Sequence, residues 1–515
     1  MVVRTRRRTT RWNLFFNYVS IGFGLVSGIL MVPLNLRFIP IDMYGAWLAS
    51  GNVLVWLTAV DPGLSTVLQQ LVANAYGRGD RDKISALIWS GIAISAVLVA
   101  ILGIIGAFLI PELPIILNLP ASINWPVLRL ACVIELIASV VTIFGFALTS
   151  SNIGLQASLG PGLVYVAVNI VSVIVQACLL FGGFGLSAIP WASLVRGSGM
   201  LAGSIVYLGY RMRSEKYRVR PVFSEVKAVL RVVSFTFFGR AANVLSANLD
   251  SVFVARILGP GVVPILRLTR SPIDICANFI QRPAAAMAPA VAHVVGAGEV
   301  EQKREVLVRF TAMASWTILL ACAGFVSLNH AFLRLWVGQR FFAGATVNSA
   351  LVANCLMMSI VGTMSVLTFA LGDIKKSTLI SGFQSLLTIG LLYLGARYGG
   401  LLGVALAPLT ASMLLGGWYQ PMSFARRAKL DRHQISAALR EFLKSAVAAV
   451  VAAAIGCLLH PRTWLDLGLS VAAVVASFFC ALGAISGTFR TEIKAASAAA
   501  GISRNKYLER YHGAS

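Results

Sequence analysis

Runs of 18 or more apolar residues recur along almost the whole chain of 515 residues. A run of that length is long enough to cross a hydrocarbon layer of ~30 Å as one helix. Only 12% of the residues are charged, against about 25% in soluble proteins, and the mean hydropathy is +0.81. The sequence therefore predicts an all-α, polytopic membrane protein.

The apolar runs predict about 14 transmembrane helices. They lie near residues 12–36, 45–71, 86–110, 126–149, 163–181, 189–210, 229–258, 262–295, 309–333, 345–371, 378–396, 401–424, 441–460 and 467–489. We expect five parts: a basic N-terminus (1–11), an N-lobe of six helices (12–225), a C-lobe of six helices (226–425), a two-helix appendage (426–489) and a basic tail (490–515).

The net charge of +24 is unevenly distributed. If both termini are cytoplasmic, most of the 43 Lys and Arg residues fall in cytoplasmic segments. The periplasmic loops then hold only Arg37, Arg334, Arg340, Arg397 and Arg462. Because this bias orients membrane proteins, we expect a multi-pass protein of the bacterial inner (cytoplasmic) membrane with both termini cytoplasmic. The basic runs act as topology anchors that can also contact anionic lipids, and we expect no nucleic-acid partner.

A repeated turn divides the chain into two halves. The segments "ANAYGRGDRDK" from Ala73 and "AHVVGAGEVEQK" from Ala292 share an alanine, two glycines and two acidic residues at a constant offset of 219 residues. The two segments follow the second and the eighth predicted helix. These places are equivalent in the order of the spans, which favours duplication over a chance likeness. The sequence thus predicts two six-helix lobes in parallel pseudo-twofold repeat, plus two C-terminal helices. This is a transporter architecture with a substrate site near the midplane, between the lobes.

Signatures of enzymes and metal sites are missing from the sequence. The seven cysteines form no CxxC pair, the five histidines form no ligand-spaced cluster, and no GxxxxGK[ST] loop occurs. The predicted loops are too short for an extramembrane domain that could carry an active site. We predict that the protein is not an enzyme and has no metal and no cofactor, while coupling to H⁺ or Na⁺ stays open.

The segment 265–283, "ILRLTRSPIDICANFIQRP", places charge inside an apolar helix. At 100° per residue, its polar side chains share one face within about 60°, with the last at the edge. They are Arg267, Arg270, Asp274, Asn278, Gln281 and Arg282. A central arginine costs at least ~2.5–3.5 kcal/mol against lipid, so this face must meet protein or water.

Two interpretations of this face remain open. Either it lines a water-filled cavity, or Arg267 or Arg270 pairs with Asp274 merely to hold helices together. Three arginines and one carboxylate give this face a net positive charge, which favours the interpretation that it lines a water-filled cavity. Surplus arginine in a hydrated cleft suits a phosphate-bearing ligand.

Other predicted helices add polar side chains. The seventh carries Arg240, Asn243 and Asp250 on one face, the first carries Asn17 within a polar face, and the second carries Asp61. We expect these residues to contact the substrate as well. Asp61, Asp250 and Asp274 are also candidates for ion coupling, although each could equally pair with an arginine. Arg129, Glu135 and Arg196 add possible cavity charges whose direction the sequence does not fix.

Four stretches resemble the oligosaccharide and polysaccharide flippases of the multidrug/oligosaccharidyl-lipid/polysaccharide exporter (MOP) superfamily. They are "YGAWLASGNVLVWLTAVDPGL" from Tyr44, "LSANLDSVFVARILGPG" from Leu245, the proline-marked eighth helix, and "FLRLWVG" from Phe332. The resemblance covers roughly residues 12 to 425. These patterns are looser than a catalytic signature, but their order and spacing agree.

The resemblance implies a flippase that translocates undecaprenyl-pyrophosphate-linked oligosaccharide units across the inner membrane by alternating access, for O-antigen or exopolysaccharide synthesis. The implied partners are the lipid-linked glycan, membrane lipids, and the polysaccharide polymerase and export machinery. A drug/cation antiporter of the same superfamily would favour acidic residues in the cleft. A peptidoglycan-precursor flippase would be expected to show arginines in its first helix, where this chain has Asn13, Asn17 and Ser20. A membrane-bound glycan polymerase or ligase would be expected to have a sizeable periplasmic loop.

Overall fold

The computed structural model describes residues 2–58, 64–156, 159–215, 248–296 and 300–494, together with positions 222, 226, 227 and 229. Within these residues the chain is almost entirely helical and contains no β-strand. Nine segments of the described chain are long and apolar enough to cross a membrane. The predicted all-α, polytopic fold is confirmed.

Fifteen helices follow one another along the described chain. They are α1 (Val2–Phe38), α2 (Ile41–Thr58), α3 (Leu64–Arg78), α4 (Arg81–Leu117), α5 (Trp125–Gly154), α6 (Leu159–Phe181), α7 (Ala188–Ser214), α8 (described over 248–258), α9 (Val262–Gly296), α10 (Val300–Trp336), α11 (Ala345–Ala370), α12 (Ile374–Leu414), α13 (Gly416–Arg427), α14 (Arg432–Leu458) and α15 (Trp464–Ile485). Each predicted span other than the seventh overlaps one or two of these helices. Most of the seventh span, and residues 59–63 in the second, lie outside the described residues.

The internal repeat appears in the helix boundaries. Helix α4 (Arg81–Leu117) and helix α10 (described from Val300 to Trp336) end at positions that differ by the offset of 219 that the repeated turns show. Asp80 caps α4 because its carboxylate accepts a hydrogen bond from the backbone N–H of Lys83 at 3.0 Å. The acidic residue that the two turns share therefore has a structural role in the first copy.

The eleventh and twelfth predicted spans meet within one kinked helix. Helix α12 continues through the predicted gap, and its backbone is non-helical at Gly400, with φ 56° and ψ −142°. A positive φ is accessible to glycine at little steric cost, so the kink falls there. The two arms stay close, since a Cβ on Gly395 would lie 2.5 Å from the carbonyl oxygen of Gly403.

The chain divides into two compact units. The first consists of Met1–Arg267 and Ser385–Val404, and the second of Leu268–Gln384 and Ala405–Ser515. The predicted boundary between the lobes at residue 225 borders residues 216–247, most of which lie outside the described chain, so that boundary stays a prediction.

Each unit has its own apolar core. In the first unit, α3, α4 and α5 bury Leu68, Ile88 and Leu148 against one another. In the second unit, α14 and α15 pack on α10 through Trp316 and Phe478. The two C-terminal helices are therefore attached to the second unit by a buried apolar surface.

Candidate functional site

The first turns of α9 are fixed by a buried amide and hydroxyl network in the second unit. Asn329 of α10 donates hydrogen bonds to the carbonyl oxygen of Thr269 at 3.0 Å and to the side chain of Asn348 at 2.7 Å. The hydroxyl of Thr269 donates to the carbonyl of Phe341 and accepts from the N–H of Ala343. Because these groups are buried and bonded, they hold the helix that carries the arginines in one position.

Arg270 and Asp274 form an ion pair on α9. Arg270 Nε lies 2.8 Å from Asp274 Oδ2, and the two side chains are 23% and 42% exposed. The spacing of four residues places both on one helix face, as the sequence predicts. The contact joins Nε of the guanidinium group to one carboxylate oxygen of Asp274. The partial exposure keeps this pair within reach of a ligand.

Arg267 belongs to the first unit and lies next to a polar chain that crosses three helices. Gln176 of α6 donates to Asn35 of α1 at 3.0 Å. The Tyr44 hydroxyl of α2 lies beside Asn35, and the charge of Arg267 acts on Tyr44. Both Asn35 and Tyr44 are buried. Sequence reasoning missed this chain because its members lie far apart in the sequence.

Asp250 lies buried on the described part of α8. Its carboxylate accepts hydrogen bonds from the backbone N–H of Ser251 at 2.7 Å and from the Ser251 hydroxyl at 3.3 Å. These two contacts lie within one residue of the carboxylate along α8, so they orient the Asp250 side chain locally. Its predicted role in substrate binding or ion coupling stays a prediction.

The remaining predicted site residues are described to different extents. Gln281 of α9 lies against α11, since a Cβ on Gly362 would be 3.0 Å from its side-chain amide. The side chains of Asn17, Asn278 and Arg282 lie outside the described residues, although their backbone is helical. Arg240, Asn243 and Asp61 lie wholly outside the described residues.

A close contact joins the start of α2 to the turn between α8 and α9 within the first unit. A Cβ on Gly45 would overlap the carbonyl oxygen of Pro260, and a Cβ on Gly261 would overlap the carboxylate of Asp42. Nearby, Arg256 Nη1 donates to the carbonyl oxygens of Ile115 at 2.7 Å and Ile116 at 2.8 Å. Arg256 thus binds the C-terminal turn of α4, where a cation complements the exposed carbonyls.

Asp373 forms a second polar cluster that sequence reasoning missed. It lies buried between α11 and α12 and accepts hydrogen bonds from the Ser423 hydroxyl at 2.5 Å and the Tyr419 hydroxyl at 2.8 Å. Arg427 Nη2 lies 3.7 Å from its other oxygen. Burial opposes ionisation, but the two hydroxyls together with Arg427 and Lys376 hold the pKa of Asp373 below its ordinary value. The cluster ties the start of α12 to α13.

Comparison with known proteins gives matches only among solved structures. No protein-family model matches the chain, and no curated protein does. The lipid II flippase MurJ in an inward closed conformation has a TM-score of 0.67 at 14% identity, covering 91% of this chain and 97% of that chain. An inward-facing multidrug resistance MATE transporter of the MOP superfamily has a TM-score of 0.59 at 15% identity, covering 79% and 95%.

A third structure is a MOP superfamily transporter from Pyrococcus furiosus, described as having a binding pocket of reverse polarity. It has a TM-score of 0.56 at 16% identity and covers 82% of this chain and 96% of that chain. The chain shares the fold of these transporters. The fold that the sequence resemblance implies is therefore confirmed, while the oligosaccharide or polysaccharide subfamily stays a prediction.

Proposed function

We propose that the protein is a flippase that moves undecaprenyl-pyrophosphate-linked oligosaccharide units across the bacterial inner membrane by alternating access, for synthesis of a surface or extracellular polysaccharide. The observation that carries this proposal is the arginine-rich face of α9. Arg267 and Arg270 lie in the first third of a helix of 35 residues whose surroundings are apolar. Ionisable residues inside a membrane helix mark a substrate or ion pathway.

A pyrophosphate group suits this face because of its charge and its geometry. The guanidinium group presents a planar fork of donors that binds phosphate oxygens in pairs and keeps its charge at all physiological pH values. Asp274 fixes one edge of Arg270 at 2.8 Å, which limits the side-chain freedom that would otherwise be lost on binding. Gln281, further along the helix, can hydrogen-bond to a neutral group such as a sugar hydroxyl.

Two alternatives use the same fold. A drug/cation antiporter would need acidic residues to bind its substrate, whereas the α9 face carries more arginine than carboxylate. A peptidoglycan-precursor flippase is supported by the TM-score of 0.67 to the lipid II flippase. However, the first helix has Asn13, Asn17 and Ser20 where that class is expected to show arginines. A lipid-linked oligosaccharide therefore suits the sequence better.

The proposal also includes the partners and the energy source. A lipid-linked glycan delivered to the outer leaflet must be used by a polysaccharide polymerase and its export machinery, which are the proposed partners. Asp61, Asp250 and Asp274 are proposed as candidates for H⁺ or Na⁺ coupling. The proposal needs no metal and no other cofactor.

The test separates ligand binding from helix pairing. Glycan export is measured in cells and normalised to the amount of protein in the membrane. Arg270→Ala should reduce export about 10-fold or more, because a hydrogen bond to a charged group contributes about 1.5–3 kcal/mol. Arg270→Lys should retain part of the activity, and Arg267→Ala combined with Arg270→Ala should nearly abolish it. Arg309→Ala is the control, since Arg309 pairs with Glu492 instead and should leave export unchanged.

The deciding variant is Arg270→Ala combined with Asp274→Asn. If the pair only holds the fold together, each single change leaves an uncompensated charge and the double change restores export. If Arg270 binds pyrophosphate, the double variant reaches the membrane and stays inactive. Recovered export in the double variant would therefore contradict the proposed role of this face.

A further inference from the structure

We propose that Glu135 on α5 binds and releases one proton in each transport cycle, with Arg196 on α7 as its charge partner. The coupling of proton binding to transport rests on the proposed function. Proton binding by Glu135 does not, because it can be tested without a glycan. Glu135 was recognised in the sequence as an intramembrane charge of uncertain direction, and it was not among the coupling candidates named there.

Glu135 lies well inside the apolar layer. It is the eleventh residue of α5, so it lies about 15 Å along the helix from Trp125 at 1.5 Å per residue. Arg196 is the ninth residue of α7, about 12 Å from Ala188. Both helices begin at the predicted periplasmic side, so the two groups lie at similar depths. An ionisable residue at such a depth is costly unless it has a function or a partner.

The contact between α5 and α7 brings these residues together. A Cβ on Gly197 would lie 2.5 Å from Thr142 Oγ1 and 3.1 Å from the carbonyl oxygen of Ala138, so the two helices approach closely there. Glu135 precedes Ala138 by one helical turn, and Ser193 precedes Gly197 by one turn. This register places Ser193 and Arg196 of α7 beside Glu135 of α5, where the Ser193 hydroxyl and the charge of Arg196 act on the carboxylate.

One oxygen of Glu135 has no donor in the part of the chain that the structure describes. Glu135 Oε2 is buried and makes no hydrogen bond there. A buried carboxylate oxygen without a donor costs free energy in its ionised form, whereas a proton on that oxygen removes the charge. Arg196 and Ser193 act in the opposite sense, because they favour the ionised form. The protonated and ionised states therefore depend on different contacts, which is what a proton carrier requires.

Other titratable groups near this position are few. On α5 itself, Cys132 lies beside Ser50 of α2. The Cys132 thiol acts on Glu135 as a like charge only if it ionises. Helix α4 carries no titratable residue between Lys83 and Glu112, and Arg129 lies on a different face of α5. On α7, the titratable residues other than Arg196 are Tyr207, Tyr210, Arg211 and Arg213, which lie at least eleven positions further along the helix. The titratable residues of α2, α3 and α6 are Asp42, Tyr44, Tyr76, Arg78, Tyr165 and Cys178, and the side chains that act on Glu135 are instead Ser193 and Arg196.

The burial of Oε2 fits an occluded stage of the cycle. In the conformation described here, this oxygen is buried although the Glu135 side chain as a whole is only partly buried. The exposed side chain of Arg196 is long and flexible, and its approach would stabilise the charge left when the proton departs. The proton balance is simple: one proton enters from one side, binds Oε2, and leaves to the other side, and the charge of Arg196 then stabilises the ionised carboxylate.

The first test is infrared difference spectroscopy of purified protein in lipid nanodiscs during a pH titration. The wild type should show a protonated-carboxyl C=O band that disappears as pH rises, and Glu135→Gln should lack it. Glu112→Gln, which changes an exposed glutamate of α4, should keep the band. Glu135→Asp retains a carboxyl group and should show a shifted band. This variant therefore tests the proposal even if Glu135→Gln fails to fold. Identical difference spectra for the wild type and Glu135→Gln would overturn the proposal.

The second test measures glycan translocation in vesicles with and without an imposed proton gradient. Glu135→Gln should lose the acceleration that the gradient produces and keep exchange at equal pH on both sides. A purely structural Glu135–Arg196 pair would instead lower both activities equally, and Glu135→Gln combined with Arg196→Gln would restore both. That restoration would contradict proton coupling. If no glycan is moved by the wild type, the proposed function fails while the infrared result still decides whether Glu135 titrates.

Discussion

Asp373 combines burial with several donors, and its energetics can be measured. The Ser423 and Tyr419 hydroxyls donate to one oxygen, and Arg427 lies near the other. All of these interactions favour the charged form, so they are lost when the carboxyl group is protonated. The free energy that the cluster contributes to folding is therefore linked to pH through the lowered pKa of Asp373.

We expect Asp373→Asn to lower the stability of the protein by about 1–3 kcal/mol near neutral pH, because buried donors lose a charged acceptor. A depressed folded-state pKa contributes stability that is fully present above the ordinary value, about 3.9 for aspartate, and is lost as pH falls through the lowered value. The difference in melting temperature between wild type and variant should therefore be largest near neutral pH and shrink below about pH 4. Exposed Asp82, changed to Asn, is the control and should show no such trend. A constant difference across this range would contradict the linkage.

The sequence predicts contacts between neighbours on one helix better than contacts between helices. Helical geometry alone puts Arg270 and Asp274 on one face, and the pair is present. Asn35 and Gln176 are 141 residues apart, and Asp373 and Ser423 are 50 apart. In the sequence, each of these residues is an isolated polar position with no pattern that links it to its partner. Only the tertiary fold brings the partners together. The Arg270–Asp274 pair was therefore predictable, whereas these contacts between helices were not.

Helix positions follow from hydropathy because the length of an apolar run sets the length of the helix. The spans of α5, α6, α11 and α15 are placed within a few residues in the sequence. Backbone geometry is harder to predict from the sequence than helix position. The two predicted spans on either side of Gly400 are joined in α12 through a single residue of positive φ. The adjacent glycines Gly399 and Gly400 between two apolar runs indicate an interruption, but they do not tell a loop from a kink.

The glycine at the start of α2 should be sensitive to size. We expect Gly45→Val to displace the turn between α8 and α9, because its side chain would overlap the backbone of Pro260. Overpacking of this kind typically costs about 1–3 kcal/mol, and it should lower the melting temperature of purified protein in nanodiscs. It should also slow glycan translocation if the turn must close against α2 during the cycle.

Gly103→Val provides the matched control for that change. Gly103 lies in the middle of α4, and no described atom lies within 4 Å of a Cβ built there. The control shares the loss of glycine flexibility and the added β-branched side chain, but not the overlap. Equal melting temperatures for the Gly45 and Gly103 variants would show that the contact with Pro260 has no energetic role.

Over the whole chain, hydropathy predicts which segments cross the membrane, and the distribution of Lys and Arg predicts which loops lie on its cytoplasmic side. The repeated turns have an offset of 219 residues, and α4 and α10 keep that offset at their C-terminal ends. An even number of helices per half keeps both copies in the same orientation, which a parallel repeat requires. The C-terminal pair α14 and α15 adds two more crossings, so the tail should return to the side of the N-terminus.

The topology of this pair gives the last prediction. Helix α14 contains 27 residues and α15 contains 22, which correspond to about 40 Å and 33 Å, and each is long enough to cross the membrane once. Asp431 and Thr463 cap their N-termini, so the chain enters each helix at a defined residue. The segment after α15 carries Arg490, Lys494, Arg504, Lys506 and Arg510, whereas the turn between the helices carries only Arg462. The positive-inside rule therefore places Ser515 in the cytoplasm and Asp466 in the periplasm.

Fusions of alkaline phosphatase and of green fluorescent protein at these two positions test that assignment. The phosphatase should be active after Asp466 and inactive after Ser515, and the fluorescent protein should show the reverse. Changing Arg490 and Lys494 to Gln should leave both results unchanged, because three basic residues remain in the tail and the upstream helices also fix the orientation. Two fusions in the same compartment would show that α15 does not cross the membrane and would contradict fourteen spans. Opposite compartments with reversed signals would keep the spans but overturn the orientation, and with it the direction of transport proposed for the arginine face of α9.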